Sequence, residues 1–425
     1  MPIDKETIRD RAIFLAVSAV IVIIIGTAAL TSSPKVNYHA IEPITLFVAT
    51  DLHYLAPELT DNGPYFQELI ASGDGKAMEH CEEITDAFLE QVTEQKPDAL
   101  ILSGDLTFNG AKLSHAALAE KLRSVEKAGI PVLVLPGNHD LENPMAASFQ
   151  GTGYTLVESI GAGQFETLYQ DFGLGEALAK DSNSLSYVAE LRPGLRVLML
   201  DVNTVEAPGV LTELTLRWAE RQLQSAARQG AYVIAVSHQN LLPHNSLFSF
   251  GFVMENNTSL LELYERYGVL CNLSGHMHVQ HTAQSEEGFP EIATSSLMVF
   301  PNQYGLLTLD GTATEYHTVA VPVEEEISAS AQALLRDTSL RLAAEELGGN
   351  AAAGENMTRF FADVNTDYIS GRMDTVTWDD TVFQLWKDRQ TFLYVYLQSI
   401  LDDSFQDHTK YAFTFDKTDK REGST

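Results

Sequence analysis

Cysteine and positive charge are both scarce in this sequence of 425 residues. The two cysteines, Cys81 and Cys271, are too few for a disulfide framework or a cysteine-based zinc module, and we expect both to be buried. Lysine and arginine total 27 against 58 aspartate and glutamate residues, so the formal net charge is −31. A surface this acidic repels a phosphate backbone, which argues against a protein that works on nucleic acid and disfavours a nuclease. One small phosphorylated substrate in a locally positive pocket remains compatible with that charge.

One long run without charge stands near the N-terminus, from Ala12 to Leu30. As a helix, its 19 residues would span roughly 28 Å, close to the thickness of a hydrocarbon core. Basic residues precede the run and the next one is Lys35, so the positive-inside rule places the rest of the chain outside the cytoplasm. We expect residues 1–35 to form a transmembrane anchor and tether. A cleaved signal peptide, which would release a secreted protein, is the alternative.

Short β-rich runs alternate with helical stretches over residues 43–321, which predicts an α/β layered domain with buried sheets. Residues 141–183 break this alternation and are expected to form an insert. The segment 322–425 shows no convincing strand and is expected to be a C-terminal helical appendix. The strands are predicted at residues 44–50, 99–102, 131–135, 196–200, 232–236 and 269–273, and the C-terminal helices at 324–347, 357–369 and 379–401.

Side chains that can bind metal ions follow one predicted strand after another. Ligand sites in α/β sheets gather at the carboxyl ends of strands, so five such groups in order predict a single site. In chain order the groups are Asp51 with His53, Asp105, Asn138 with His139 and Asp140, His238, and His276 with His278.

These groups resemble the motifs of the calcineurin-like metallophosphoesterases, which are Asp-x-His, Gly-Asp, Gly-Asn-His-Asp/Glu, a separate His, and Gly-His-x-His. Every motif is present, and the resemblance covers residues 43–321. It implies a layered β-sandwich flanked by helices. The stretch from Gly104 to Gly110 is most similar to the bacterial phosphodiesterase branch, which includes cyclic-nucleotide enzymes. Phe108 and Gln239 depart from the family pattern, since many relatives have Asp or Asn at the first position and a second His at the other.

The resemblance also implies a centre of two divalent metal ions. Imidazole together with carboxylate and amide oxygens favours Mn, Fe or Zn over Mg or Ca. Two ions about 3.5–4 Å apart suit an in-line phosphoryl displacement, in which a shared water becomes a hydroxide nucleophile. Seven side chains would hold the ions: Asp51, His53 and His278 the first, Asn138, His238 and His276 the second, and Asp105 both.

His139 would bind no metal in this scheme and would protonate the leaving oxygen, with Asp140 orienting it and raising its pKa. We therefore expect hydrolysis of a phosphodiester, such as a cyclic nucleotide or another small phosphorylated compound. A phosphomonoesterase or nucleotidase is the alternative within this class. A metal-bearing module that binds a ligand without turnover is the alternative outside it. The sequence gives neither the substrate nor the oligomeric state.

Three further polar residues have no motif of their own. His115 lies in a predicted helix and is expected at the surface. His244 and Asn245 follow His238, and either reach a substrate phosphate or cap the loop in which they stand.

Overall fold

The computed structural model describes residues 41–349, 354–403 and 405–415. The strands in chain order are β1 Ile44–Ala49, β2 Ala99–Leu102, β3 Val132–Val134, β4 Ala147–Gln150, β5 Gly153–Leu156, β6 Ala179–Lys180, β7 Tyr187–Arg192, β8 Leu195–Leu200, β9 Asn203–Thr204, β10 Ala207–Pro208, β11 Tyr232–Ser237, β12 Asn272–Ser274, β13 His281–Gln284, β14 Pro290–Ala293, β15 Gln303–Leu309, β16 Ala313–Ala320 and β17 Lys410–Thr414. The α-helices are α1 Pro64–Ser72, α2 Cys81–Gln95, α3 Lys112–Lys127, α4 Ala162–Leu168, α5 Glu213–Arg228, α6 Asn257–Tyr267, α7 Glu325–Glu346, α8 Glu355–Ile369, α9 Asp380–Arg389 and α10 Phe392–Leu401.

A six-stranded sheet has the order β17-β16-β15-β1-β2-β3. Strands β1, β2 and β3 are parallel, whereas β15, β16 and β17 run antiparallel to their neighbours. The central strand β1 is almost entirely buried because both of its faces are covered. On one face Phe47 packs against Tyr304 at a ring distance of 4.8 Å, and Phe88 of α2 packs on the same tyrosine at 5.1 Å.

A seven-stranded sheet has the order β13-β14-β12-β11-β8-β7-β6, with β8, β11, β12 and β14 parallel. Alternate residues of β8 point to opposite faces, as the period of a strand requires. Val197 and Met199 join the apolar core that the two sheets share, whereas Leu198 and Leu200 pack with α5 and α6. The sheets therefore form a sandwich flanked by helices, which confirms the predicted α/β layered fold.

The segment 141–183 contains the β4–β5 hairpin, α4 and the short strand β6. The hairpin stands apart from both large sheets, and β6 adds the last strand to the seven-stranded sheet. Both cysteines are buried and free, as expected from the sequence.

Two expectations for the C-terminal region are wrong. The single helix predicted over 379–401 is divided into α9 and α10, because Gln390 adopts a left-handed conformation (φ 54°) that ends α9. A strand does follow residue 322: β17 pairs antiparallel with β16, with Tyr411 opposite Tyr316, and forms the edge of the six-stranded sheet. The helices of the region share an apolar core that contains Phe361, Trp386 and Tyr396.

The predicted transmembrane anchor, residues 12–30, lies outside the described residues. Within the part of the chain that the structure describes, no helix combines the length and the apolar character that crossing a membrane requires.

Candidate metal centre

The predicted metal ligands meet where strands of both sheets end. Strands β1, β2 and β3 are parallel in one sheet, and β11 and β12 are parallel in the other, so their carboxyl ends lie at one edge of the sandwich. The residues that follow these ends are Asp51 and His53 after β1, Asp105 after β2, Asn138 and His139 after β3, His238 after β11, and His276 and His278 after β12.

The backbone leaves these strands in an uncommon conformation. Positive φ angles are rare for residues with a Cβ atom, and each costs of the order of 1–3 kcal/mol, so they tend to occur at functional sites. Among the seven predicted ligands, five adopt positive φ: Asp51 (52°), His53 (42°), Asp105 (46°), His276 (69°) and His278 (56°).

The first predicted ligand set surrounds one oxygen of Asp51. Its Oδ2 accepts hydrogen bonds from the Thr50 hydroxyl and the His276 amide, at 2.7 and 2.9 Å. Its Oδ1 is buried and has no hydrogen-bond donor among the described residues. Nε2 of His278 lies 3.2 Å from that oxygen and Nε2 of His53 lies 3.8 Å from it, while the two nitrogens are 3.1 Å apart. Three metal-binding atoms thus converge on one point.

Asp105 stands between the two predicted ligand sets. Its Oδ1 accepts a hydrogen bond of 2.8 Å from the His139 amide, which fixes the carboxylate. Its Oδ2 lies 4.0 Å from Nε2 of His53 on one side and 3.3 Å from Nε2 of His238 on the other. This position suits a carboxylate that bridges two ions.

In the second predicted ligand set, an acceptor nitrogen of His238 faces the side-chain oxygen of Asn138. Nδ1 of His238 donates to the Ser103 carbonyl at 3.0 Å, so its Nε2 carries the lone pair of the neutral ring. That Nε2 lies 3.2 Å from Oδ1 of Asn138. His276 donates from Nε2 to the Gly251 carbonyl at 2.8 Å, which leaves its Nδ1 as the nitrogen that can bind a metal ion.

Asp74 is a residue that the sequence analysis missed. Its Oδ2 lies 3.4 Å from Nδ1 of His278, and it also binds Lys76 at 2.9 Å. A carboxylate on Nδ1 turns Nε2 of His278 towards Asp51, as partners of metal-binding histidines commonly do. Only the place of Asp74 in a Gly-Asp-Gly turn marks it in the sequence.

The electrostatics of the site favour bound cations. Burial opposes the protonation of His238 and His278, but the carboxylates of Asp105 and Asp51 outweigh it and raise the pKa of each imidazole to about 9. Burial lowers the pKa of His53 well below its usual value, and the charge of Lys76 adds to this effect. The carboxylates thus attract positive charge that divalent ions supply in place of protons. The Oδ1 atom of Asp51, which lacks a hydrogen-bond partner, and the facing acceptors of His238 and Asn138 together fit a two-metal centre.

His139 lies at the edge of this group and is more accessible than the other rings. Its Nδ1 donates to the Phe108 carbonyl at 2.9 Å, which directs Nε2 towards Oδ2 of Asp105, 3.9 Å away. Its side chain is 37% exposed, whereas that of His53 is fully buried. A histidine in this position can approach a substrate that enters from solvent.

The expectation that Asp140 orients His139 is wrong, because the Phe108 carbonyl occupies that role. Asp140 is fully buried and stabilises the loops instead. Its Oδ2 accepts hydrogen bonds from the amides of Gly137 and Leu106, and its Oδ1 accepts two from Thr107. A carboxylate this occupied holds the loop after β2 against the loop after β3.

His115 is fully buried, so the expectation of a surface residue is wrong. Its ring lies 3.0 Å from both the Tyr169 hydroxyl and the Asp140 carbonyl. The sequence carried the signal: His115 shares the buried face of α3 with Leu118, Leu122 and Val125.

Two residues of the loop after His238, His244 and Asn245, were expected either to reach a substrate phosphate or to cap the loop. Both side chains face the protein interior. His244 is buried beside His281, with their Nδ1 atoms 3.0 Å apart. Asn245 accepts from the Leu247 amide at 2.9 Å and donates to the Tyr368 hydroxyl at 2.9 Å. Both side chains therefore structure the loop, and neither reaches the metal centre.

Gly137 provides a test of how closely the loops must approach. A Cβ atom there would lie 2.2 Å from Oδ1 of Asp105 and 2.3 Å from its backbone nitrogen. Gly137→Ala should therefore displace Asp105 and weaken metal binding by about 10–100-fold, as measured by metal titration. Gly163→Ala is the matched control, because a Cβ atom at this site in α4 meets no atom within 4 Å. Equal metal affinity in the two variants would contradict this account of the site.

Comparison with known proteins adds independent evidence. Residues 44–280 match the family model of the calcineurin-like phosphoesterases. A probable cyclic nucleotide phosphodiesterase of Ruthia magnifica is 28% identical over 183 residues, which cover 43% of this chain and 62% of that protein. The 3',5'-cyclic adenosine monophosphate phosphodiesterase of Escherichia coli is 24% identical over 225 residues, which cover 52% of this chain and 69% of that protein. The match thus spans less than two thirds of the Ruthia magnifica protein.

A solved structure supports the same fold. A dimetal phosphatase from Danio rerio superposes with a TM-score of 0.50 and 13% identity, over 66% of this chain and 99% of that one. At this identity the likeness concerns the fold alone. The family match, however, spans more than half of the sequence and includes the motifs that meet at the sandwich edge. This chain therefore belongs to the calcineurin-like phosphoesterase family.

Proposed function

We propose that this chain is a phosphodiesterase that depends on two divalent metal ions. One observation carries the proposal: three atoms that can bind a metal ion converge on one buried point. Asp51 Oδ1 is buried and orphaned within the described residues, and Nε2 of His53 and of His278 lie 3.1 Å apart beside it. A buried carboxylate oxygen beside two imidazole nitrogens is stabilised by positive charge, which a divalent ion would supply.

The two ions, when bound, would supply the positive charge that draws a phosphate group to this edge and activates a water as the nucleophile. Asp51 and Asp105 would hold the ions, with the five imidazole and amide ligands completing the set. The donors favour Mn, Fe or Zn. The protein surface is strongly acidic, so attraction of a phosphate is confined to this edge.

His139 would supply the proton that the leaving oxygen requires. The Phe108 carbonyl at 2.9 Å holds the proton on Nδ1 in the neutral ring, and the protonated ring presents a second proton on Nε2 towards the site. Its partial exposure lets a substrate reach it. A general acid helps most when the leaving group is a poor one, such as the alkoxide of a phosphodiester.

The names of relatives support a diester substrate. Two relatives that match this chain are described as cyclic nucleotide phosphodiesterases. We propose that the substrate is a small phosphodiester, of which a cyclic nucleotide is the leading candidate.

Chelation tests the dependence on metal ions. Excess chelator should reduce hydrolysis of a nitrophenyl phosphodiester to background, and Mn²⁺ should restore it better than Ca²⁺ or Mg²⁺, because four of the seven ligands are imidazoles. The measurement is the initial rate after the stripped protein is loaded with each ion in turn. Full activity in excess chelator, or a strict dependence on Ca²⁺, would overturn the two-metal proposal.

Substitution of His139 separates proton transfer from metal binding. His139→Ala should lose activity by about 10²–10⁴-fold on substrates with alkoxide leaving groups while it retains bound metal. The loss should be smaller with nitrophenol, which departs without a proton. The measurements are metal content by elemental analysis and kcat for both substrate types.

Asp105→Ala is the matched comparison for this experiment. Loss of the bridging carboxylate should reduce metal content and activity together for every substrate. If His139→Ala also strips the metal and slows all substrates equally, the histidine is a ligand and its proposed role is wrong.

We further propose that the chain is held in the cell membrane by residues 12–30, with its phosphoesterase domain outside the cytoplasm. The support is the uncharged run and the basic residues that precede it. The protein should stay with membranes after a high-salt wash, and its body should be open to protease added to cells stripped of their wall. Release of a shorter soluble form that starts near residue 30 would instead identify a cleaved signal peptide.

A further inference from the structure

A second group of metal-binding side chains lies outside the phosphoesterase centre and shares no residue with it. His281 stands at the start of β13, Asp403 follows α10, and His408 precedes β17. Asp403 Oδ2 lies 2.8 Å from Nε2 of His281 and 3.2 Å from Nε2 of His408. We call these three residues the His281 cluster. It joins the seven-stranded sheet to the segment that leads from the C-terminal helices to β17.

The distances within the cluster match those of a metal site. Ligand atoms about 2.0–2.1 Å from a tetrahedral zinc ion stand about 3.3 Å from one another. At the phosphoesterase centre, the nearest ligand atoms are separated by 3.1, 3.2 and 3.3 Å. The His281 cluster has separations of 2.8 and 3.2 Å, and the shorter one is also the length of an ordinary hydrogen bond.

Both imidazoles of the cluster are buried. The side chains of His281 and His408 are 6% and 4% exposed. Nε2 of His408 has no hydrogen-bond partner within the described part of the chain, although it points at Asp403. Nδ1 of His408 lies 2.9 Å from the Thr282 hydroxyl and accepts from the Thr282 amide at 3.3 Å, so the metal-free ring carries its proton on Nε2. In the zinc-bound form the proton would move to Nδ1, with the Thr282 hydroxyl as its acceptor.

A buried chain of partners supports His281 from behind. Its Nδ1 lies 3.0 Å from Nδ1 of His244, whose Nε2 lies 3.4 Å from Oε2 of Glu291. If Nε2 of His281 binds a metal ion, Nδ1 carries the proton and donates to His244. Nε2 of His244 makes no hydrogen bond among the described residues and faces the Glu291 carboxylate at 3.4 Å. Metal-binding histidines are typically held by such carboxylate-terminated chains. Glu291 is fixed by the amide of Leu241 at 2.8 Å.

We propose that His281, Asp403 and His408 form a further metal site that binds Zn²⁺ and fastens the C-terminal segment to the phosphoesterase domain. Two imidazoles and one carboxylate suit zinc. The side chain of Asp403 is 21% exposed, which leaves an open side for a water as fourth ligand. The site is structural: no residue of the cluster belongs to the predicted ligand set of the phosphoesterase centre.

The experiment measures zinc in the full-length protein. Protein saturated with Zn²⁺ and dialysed against zinc-free buffer should retain one zinc ion more than the two of the phosphoesterase centre. His408→Ala and Asp403→Asn should each lose that one ion. Loss of a residue that only supports a ligand lowers metal affinity by about 10–100-fold, and loss of a ligand itself should lower the zinc affinity further. His317→Ala, at an exposed position on β16, is the control and should retain every ion.

Thermal unfolding with and without zinc gives a second measurement. Zinc should raise the Tm of the wild-type protein and of His317→Ala more than it raises the Tm of the two cluster variants, because ligands stabilise the state that binds them. Asp403→Asn preserves the shape of the side chain, so it remains informative if His408→Ala fails to fold.

Equal zinc content in the wild type, the cluster variants and the control would overturn the proposal. The three residues would then form a metal-free cluster in which Asp403 accepts hydrogen bonds from both rings. Hydrolysis of the phosphodiester is measured in parallel and should persist in the cluster variants. A protein that lacks phosphodiesterase activity but holds the additional zinc would refute the proposed function and leave this site in place.

Discussion

Two buried carboxylates, Asp51 and Asp105, set the constraint on which the rest of the structure depends. A buried charge is stable only when opposite charge or hydrogen-bond donors surround it. The protein meets this requirement by ending strands of two separate sheets at one place, so that four imidazoles and an amide gather around the pair. The same convergence requires left-handed backbone at Asp51 and Asp105 themselves and a residue without Cβ at Gly137. Strained turns and close loop contacts are therefore consequences of the charge arrangement.

The site was predictable from sequence because its rule is simple. Ligands at the ends of parallel strands meet whatever the details of the loops, so the metal-binding groups could be named before their geometry was known. The roles of His115 and Asp140 could not be named in this way. Each depends on backbone groups of loops that are distant in sequence, such as the amide of Leu106 that binds Asp140 across 34 residues. The Asp-His pairing expected from adjacency failed because neighbours in sequence point in different directions.

The helical character of the C-terminal region was predicted correctly, but the break between α9 and α10 and the strand β17 were not predicted. Its helices were visible from their apolar spacing. One residue with a left-handed backbone, Gln390, divides a predicted helix, and a glutamine side chain does not predict that conformation. Strand β17 has five residues, too short a pattern to stand out, and it exists because β16 offers a free edge. Asp403 and His408 likewise carry no motif, since their partner His281 lies on a strand more than a hundred residues earlier.

The order of strands in the six-stranded sheet has a consequence for biosynthesis. Strand β1 emerges from the ribosome early, yet its antiparallel partner is β15, with Ile44 opposite Leu309. Strand β1, which is followed by Asp51, is therefore paired on both sides only after most of the chain has been synthesised. Strand β17 pairs with β16 later still. Pairings this distant in sequence form slowly and leave strand edges open in the interval. The nascent chain thus exposes unpaired strand edges for a long interval, in which it is prone to aggregate and is a substrate for chaperones.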